Sequence, residues 1–145
     1  MEITRTLQVS RPPQEVFAYL QDFTTTEEWD PGTVRTTRLE GDGGVGTRYR
    51  NVSRFLGRET ELEYVVEQAD SPGRLRLRGE NKTVISEDTM TMTPTPAGTE
   101  LTYRAEFTFK GFARVVAPLL APAFKRLGDE AEKGLRDALG RGASN

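Results

Sequence analysis

Cysteine and histidine are both missing from the 145 residues. Without cysteine there is no disulfide framework, no thiol nucleophile and no thiolate metal site, a pattern that fits a reducing cytoplasm. Without histidine the commonest general base, the commonest metal ligand and every Ser-His or Cys-His nucleophile arrangement are gone. Any catalysis falls to carboxylates, hydroxyls, Tyr, Lys, Arg or a borrowed metal ion, and no cofactor or metal site is expected. Long apolar runs are absent too. The longest, Val115 to Phe124, is interrupted by Pro118 and Pro122 and falls short of the ~20 residues that span a bilayer, so no membrane insertion is expected. Met1 to Val9 alternate polar with apolar residues, unlike a secretory signal or a transit peptide, which predicts a cytoplasmic location. The net charge is −2 with both signs interleaved. It gives no field that would recruit nucleic acid or an anionic membrane.

What is present fits one domain, expected over residues 1–140 and followed by a flexible tail at 141–145. Ile3, Leu7 and Val9 alternate with polar residues and predict a first strand. Val16, Phe17 and Leu20 then recur at helical spacing behind Pro12 and Pro13, predicting a short helix. A second short helix is predicted over Thr25 to Trp29, where Glu27 and Glu28 suit a helix N-terminus, and Asp30-Pro31-Gly32 ends it. From Thr33 to Phe109 the chain reads as six strands: Val34 to Leu39, Thr47 to Phe55, Arg58 to Gln68, Arg74 to Gly79, Thr83 to Thr93 and Thr99 to Phe109. The intervening turns carry Gly, Pro, Asn or Asp.

Hairpin register tests this reading, because a one-residue slip reverses every side chain. Folding at Leu56-Gly57 sets Tyr49 opposite Tyr64 and Asn51 opposite Leu62, with Arg50 meeting Glu63 and Arg54 meeting Glu59 on the other face. Folding at Ala69 to Gly73 predicts Val66 by Leu75 and Tyr64 by Leu77, with Glu67 by Arg74 and Glu63 by Arg78. The next hairpin predicts Leu77 opposite Val84 and Arg74 opposite Glu87. The last predicts Met90 opposite Tyr103 and Met92 opposite Leu101. The charged ladders Arg74-Arg76-Arg78 and Glu59-Glu61-Glu63 then form a solvated outer face. After Gly111 a stripe from Phe112 through Val115, Leu119, Phe124 and Leu135 to Leu139 predicts one long C-terminal helix, bent or broken in its first half by Pro118 and Pro122.

The order of elements and four local phrases carry a resemblance. The phrases are Arg11-Pro12-Pro13-Gln14-Glu15-Val16-Phe17, Asp22 to Pro31, Val45-Gly46-Thr47-Arg48-Tyr49, and Gly98-Thr99-Glu100-Leu101-Thr102-Tyr103. Together they resemble the START-like (helix-grip, Bet v 1-like) superfamily, in particular its polyketide cyclase/dehydrase-like branch, over nearly the whole chain. The resemblance implies an α+β fold: a curved antiparallel sheet of about seven strands wrapped around a long C-terminal helix, with two short helices after the first strand. It also implies a cavity for a small hydrophobic molecule, of lipid, polyketide or isoprenoid class. Members of the superfamily include lipid carriers, hormone receptors, aromatase/cyclases and chaperone activators, so fold alone does not select a function. An aromatase/cyclase or dehydratase and a protein-interaction module stay open as alternatives, as does the oligomeric state.

Candidate site residues emerge from strand parity. If Met90 and Met92 point inward, Ser86 and Asp88 do as well. An inward carboxyl is costly in an apolar cavity unless hydrogen-bonded or protonated, which makes Asp88 a candidate general acid/base or ligand anchor; a solvated strand end or a β-bulge is the alternative. Tyr49, Asn51, Tyr64 and Tyr103 share that inward parity, as hydrogen-bond donors to a ligand or as amphipathic core. Leu77, Met90 and Phe107 complete the expected sheet wall, and Val116 and Leu120 the helix wall. Trp29 is either a lid over the entrance or a pin holding the second helix. Gly41-Asp42-Gly43-Gly44-Val45-Gly46 matches G-x-G-x-x-G, but it joins two predicted strands and opens no helix, which excludes a dinucleotide fingerprint; it reads instead as a hairpin turn near the cavity mouth. The cavity itself is expected to hold ~300 to 1,000 Å³.

Overall fold

A computed structural model describes residues 1–140, so the tail expected at 141–145 lies outside the described residues. Strand β1 (Glu2–Val9) is followed by α1 (Pro13–Gln21), a 3-10 turn (Phe23–Thr25) and α2 (Thr26–Trp29). Six strands come next: β2 (Thr33–Glu40), β3 (Arg48–Phe55), β4 (Arg58–Asp70), β5 (Arg74–Glu80), β6 (Val84–Thr95) and β7 (Gly98–Phe109). They form one curved antiparallel sheet in the order β1-β7-β6-β5-β4-β3-β2. The chain ends in α3 (Ala113–Val116), a 3-10 turn (Ala117–Leu120) and α4 (Ala121–Gly140). This is the helix-grip, Bet v 1-like architecture.

Local chemistry explains the short helices. Pro13 opens α1, where a missing N–H costs nothing, and α1 buries Val16, Phe17 and Leu20. Asp22, not Thr25, caps the 3-10 turn that leads into α2: its carboxylate accepts from the Thr24 backbone N–H at 3.1 Å. Glu27 accepts from the Thr36 N–H at 2.9 Å, tying α2 to β2.

The β3–β4 and β6–β7 registers match the predicted pairs, from Tyr49 opposite Tyr64 to Met92 opposite Leu101. Two registers differ. Val66 pairs with Leu77 and Tyr64 with Gly79, because β4 runs on to Asp70, closes on Arg74 and takes up a bulge between Val66 and Gln68. The bulge brings Arg76 to Glu67 at 3.2 Å. Leu77 pairs with Asp88 and Arg74 with Thr91, since Asn81 Oδ1 accepts from the N–H groups of Thr83 and Val84 and holds a wider turn. Both shifts near the inner residues are even, so the same side chains face the core.

Two apolar clusters lie on the concave face. One gathers Leu7, Val16, Phe17, Leu20, Leu75, Leu77, Met90, Leu101, Leu135 and Leu139. The other sets Ile3, Ala105 and Phe124 among Phe55, Phe107, Phe109, Leu120 and Leu127. The predicted C-terminal stripe splits at Pro118, which sits in the 3-10 turn. Pro122 instead falls in the first turn of α4, a position proline tolerates. Before α4 the apolar side chains Phe112, Val115 and Leu119 are exposed, contrary to the single buried stripe. Among the described residues no helix is long and apolar enough to cross a membrane.

Glycine sets how closely α4 docks. A Cβ at Gly134 would lie 1.8 Å from the Trp29 carbonyl oxygen, so backbone meets backbone there. Gly134→Ala is expected to destabilise the fold by about 3 kcal/mol through forced displacement of α4, although alanine is the better helix former. Gly140→Ala, which meets open space, serves as the control. Equal unfolding midpoints for the two variants in urea would refute the close packing.

Candidate functional site

Between the concave sheet and α4 lies a cavity of about 220 Å³, smaller than the expected range. Aromatic rings account for the difference. Phe124 on α4 reaches Phe55, Phe107 and Phe109 of the sheet at centroid distances of 4.9, 4.9 and 5.6 Å and fills one end. All four rings also form part of the wall, with Leu120 and Leu127.

The other end is polar. Parity carries Ser86 and Asp88 of β6 inward, and Asp88 is only 4% exposed, so neither a solvated strand end nor an outward bulge describes it. Its Oδ1 accepts from Ser86 Oγ at 3.0 Å. Burial, opposed by that hydrogen bond and reinforced by the charge of Asp30, pushes its carboxyl up to about 7. Asp30, at the end of α2, also lines the cavity. Burial raises its pKa against hydrogen bonds from Thr33 Oγ1 at 2.9 Å and the Gly32 N–H at 3.2 Å. Tyr64 and Tyr103 complete the group, their phenols raised first by burial and then by the charge of Asp88.

A relay of hydrogen bonds supports this end from behind. Asn51 Nδ2 donates to Thr36 Oγ1 at 2.9 Å, and Ser53 Oγ donates to Asn51 Oδ1 at 2.6 Å. Thr26 Oγ1 donates to the Phe23 carbonyl at 2.8 Å. Its one proton is thus committed, and it must accept from Thr36 Oγ1 at 2.5 Å. Asn51 Nδ2 also reaches Thr33 Oγ1 at 3.2 Å, joining the relay to Asp30.

Eight of the twelve side chains named from sequence line the cavity: Trp29, Asn51, Tyr64, Ser86, Asp88, Tyr103, Phe107 and Leu120. Four do not, which corrects the expected wall. Tyr49 packs its ring on Phe23 at 5.6 Å and donates to the Gln21 carbonyl at 3.3 Å. Leu77 and Met90 point inward but into the solid core with Val16, Phe17 and Leu20. Val116 is half-buried on α3, apart from the lining. Trp29 both lines the cavity and pins α2: its ring meets Tyr103 edge-on at 5.7 Å, and its Nε1 donates to Thr25 Oγ1 at 3.3 Å. The glycine-rich segment is a hairpin loop between β2 and β3, as expected, but it contributes nothing to the cavity wall.

Sequence reasoning missed Phe23, Asp30, Phe55 and Phe124 as wall residues. Asp30 was hidden by its role in Asp30-Pro31-Gly32, which reads fully as a helix stop.

Fold and cavity define a helix-grip protein with a ligand-sized internal space. The chain belongs to the family described as polyketide cyclase/dehydrase and lipid transport, whose model matches residues 1–140. No curated protein matches it significantly. Among solved structures it is similar to TTHA0849 from Thermus thermophilus, with a TM-score of 0.80 and 17% identity over 96% of this chain and 97% of that one. It is also similar to a START superfamily protein from Mycobacterium smegmatis, at 0.72 and 16% over 95% and 93%. The Zhui aromatase/cyclase from a Streptomyces species matches at 0.68 and 18% over 97% and 98%. At these identities the likeness is one of fold.

The raised carboxyl of Asp88 fixes a stability profile. The folded state holds the proton more tightly than the unfolded chain, whose carboxyl sits at the ordinary 3.8. The resulting stabilisation is fully present below that value and is lost as pH rises through about 7. Asp88→Asn should therefore match the parent near pH 4 and exceed it above pH 7 by up to about 4 kcal/mol. Asp30, Tyr64 and Tyr103 remain in both proteins, so the difference reports Asp88 together with its coupling to them. Urea denaturation across this pH range measures it, and a difference independent of pH would contradict the buried, protonated carboxyl.

Proposed function

We propose that the protein binds a small, largely apolar molecule in this cavity, its ring system or chain against Phe55, Phe107, Phe109 and Phe124 and its polar end at Asp88, Tyr64 and Tyr103. The observation that carries this reading is the presence in one cavity of a cluster of aromatic rings and a group of buried polar side chains. Ligand sites share this layout: mostly apolar walls with a few convergent polar groups. Within the lipid, polyketide and isoprenoid classes, a volume of about 220 Å³ favours a compact ring system over a long acyl chain. A protein-interaction module gains no support, because a cavity remains between the sheet and α4.

A specific observation favours a second reading, the cyclase or dehydratase. A carboxyl held near pH 7 between two phenols suits proton transfer to and from a carbonyl substrate, and family membership supports that chemistry. Asp88 would move the proton, and Tyr64 and Tyr103 would polarise the carbonyl oxygen.

Trp29 is the sole tryptophan and lines the cavity, so intrinsic fluorescence reports its occupancy. Naphthol titrated into the protein is expected to quench it saturably. Ala131→Leu, which extends a side chain from α4 into the same space, should weaken binding at least about tenfold. Linear, unsaturable quenching in the parent would remove the binding reading. For the enzymatic reading, turnover of a poly-β-keto thioester should fall at least about 100-fold in Asp88→Asn, and an unchanged rate would exclude Asp88 as the acid/base.

A further inference from the structure

The charge balance of the polar end selects among ligands. Two carboxyl groups, Asp30 and Asp88, line the cavity, and a third acid, Glu130, lies close enough to Asp30 to raise its pKa. Among the described residues the one cationic side chain in the wall is Arg54. Its guanidinium is largely exposed and bound to Glu59 at 3.2 Å, so it answers a surface charge and not the interior. Asp30 has both oxygens occupied by protein donors. Asp88 does not: Ser86 donates to Oδ1, and among the described residues nothing donates to Oδ2.

Aromatic rings share the cavity wall with these carboxyls. Phe23, Trp29, Tyr64 and Tyr103 all line the cavity, paired as Phe23 with Tyr64 at 4.9 Å and Trp29 with Tyr103 at 5.7 Å. A buried carboxyl is stable as the anion when paired and otherwise keeps its proton, and the face of an aromatic ring attracts a cation. An anionic headgroup would meet repulsion from two sides. A neutral one would leave ionised Asp88 without a counter-charge.

We infer that the ligand of this cavity is an amphipathic amine, whose ammonium group pairs with Asp88 Oδ2 inside the Phe23, Trp29, Tyr64 and Tyr103 cluster while its apolar body lies against the phenylalanines of the other end. The inference rests on the binding reading above and narrows its ligand class. Asp30, already satisfied, adds field without contact. The same arrangement turns away fatty acids and other carboxylates.

Calorimetry with three probes of one shape tests this at pH 8, where Asp88 is ionised: phenylbutylamine, phenylbutanol and phenylbutyrate. The amine is expected to bind at least about tenfold more tightly than the alcohol, and the carboxylate not measurably. Asp88→Asn should remove the preference for the amine over the alcohol. The ranking of the three probes on the parent protein needs no variant, so a poorly folding Asp88→Asn does not blunt the test. An alcohol or carboxylate that equals or beats the amine would overturn the amine assignment and leave the binding reading standing. An amine preference that survives in well-folded Asp88→Asn would overturn it as well. Failure of all three probes to bind would remove both.

Discussion

The contact between α4 and α2, where the Trp29 carbonyl rests against the backbone at Gly134, governs the rest of the architecture. It clamps the C-terminal half of α4 onto the sheet, so that Leu135, Ala138 and Leu139 close the main core. The N-terminal half has no such contact with α2. There a large side chain, Phe124, spans the gap to the sheet, and Arg5 of β1 holds Asp129 at 2.9 Å. A helix held tightly at Gly134 and propped by aromatic rings at Phe124 leaves room beneath Phe124, Leu127, Gly128 and Ala131. The cavity arises from that difference in approach, since close-packed interiors otherwise leave few voids larger than a water molecule.

Into that room the sheet projects a carboxyl. Leu75 and Leu77 of the neighbouring strand and Met90 and Met92 of its own are fully buried, and Asp88 is the exception among them. A leucine there would stabilise the fold by ~1.5 to 3 kcal/mol through burial alone, so the polar choice runs against stability. Residues that work against the fold in an enclosed space mark sites whose purpose is chemical. The hydroxyl and amide relay from Ser53 through Asn51, Thr36 and Thr26 has the opposite character, because each member has a partner. It holds the frame of the site without offering a free group to a ligand.

The alternation of apolar and polar residues made the fold legible. Period two identified the strands, the shift to helical spacing identified α1 and α4, and paired charges such as Arg54 with Glu59 identified the first hairpin. Inward placement of Asp88, Tyr64 and Tyr103 came from parity without knowledge of their partners. What sequence does not carry is depth. Leu77 and Met90 have the same parity as Asp88 but sit under α1, and no local pattern separates the stretch of strand beneath α1 from the stretch beneath the cavity. Phe124 appeared in a helical stripe, yet its contact with three sheet phenylalanines depends on the crossing of α4, which is set by glycines far along the chain. Asp30 serves both as a helix stop and as a wall residue, and the first role conceals the second.

The pairing of β5 with β6 is displaced by four residues from the simplest hairpin, while every inner side chain keeps its face. The wall therefore behaves as an arithmetic modulo two: what a strand presents to the cavity depends on whether its length changes by an even or an odd number. Two residues added or removed at the Asn81 turn would slide Asp88 along the cavity axis by a pleat, whereas one would evert it to solvent. Members of a fold built this way can diverge in the position of their polar group by whole pleats, a stepwise tuning of ligand length that needs no new side chain.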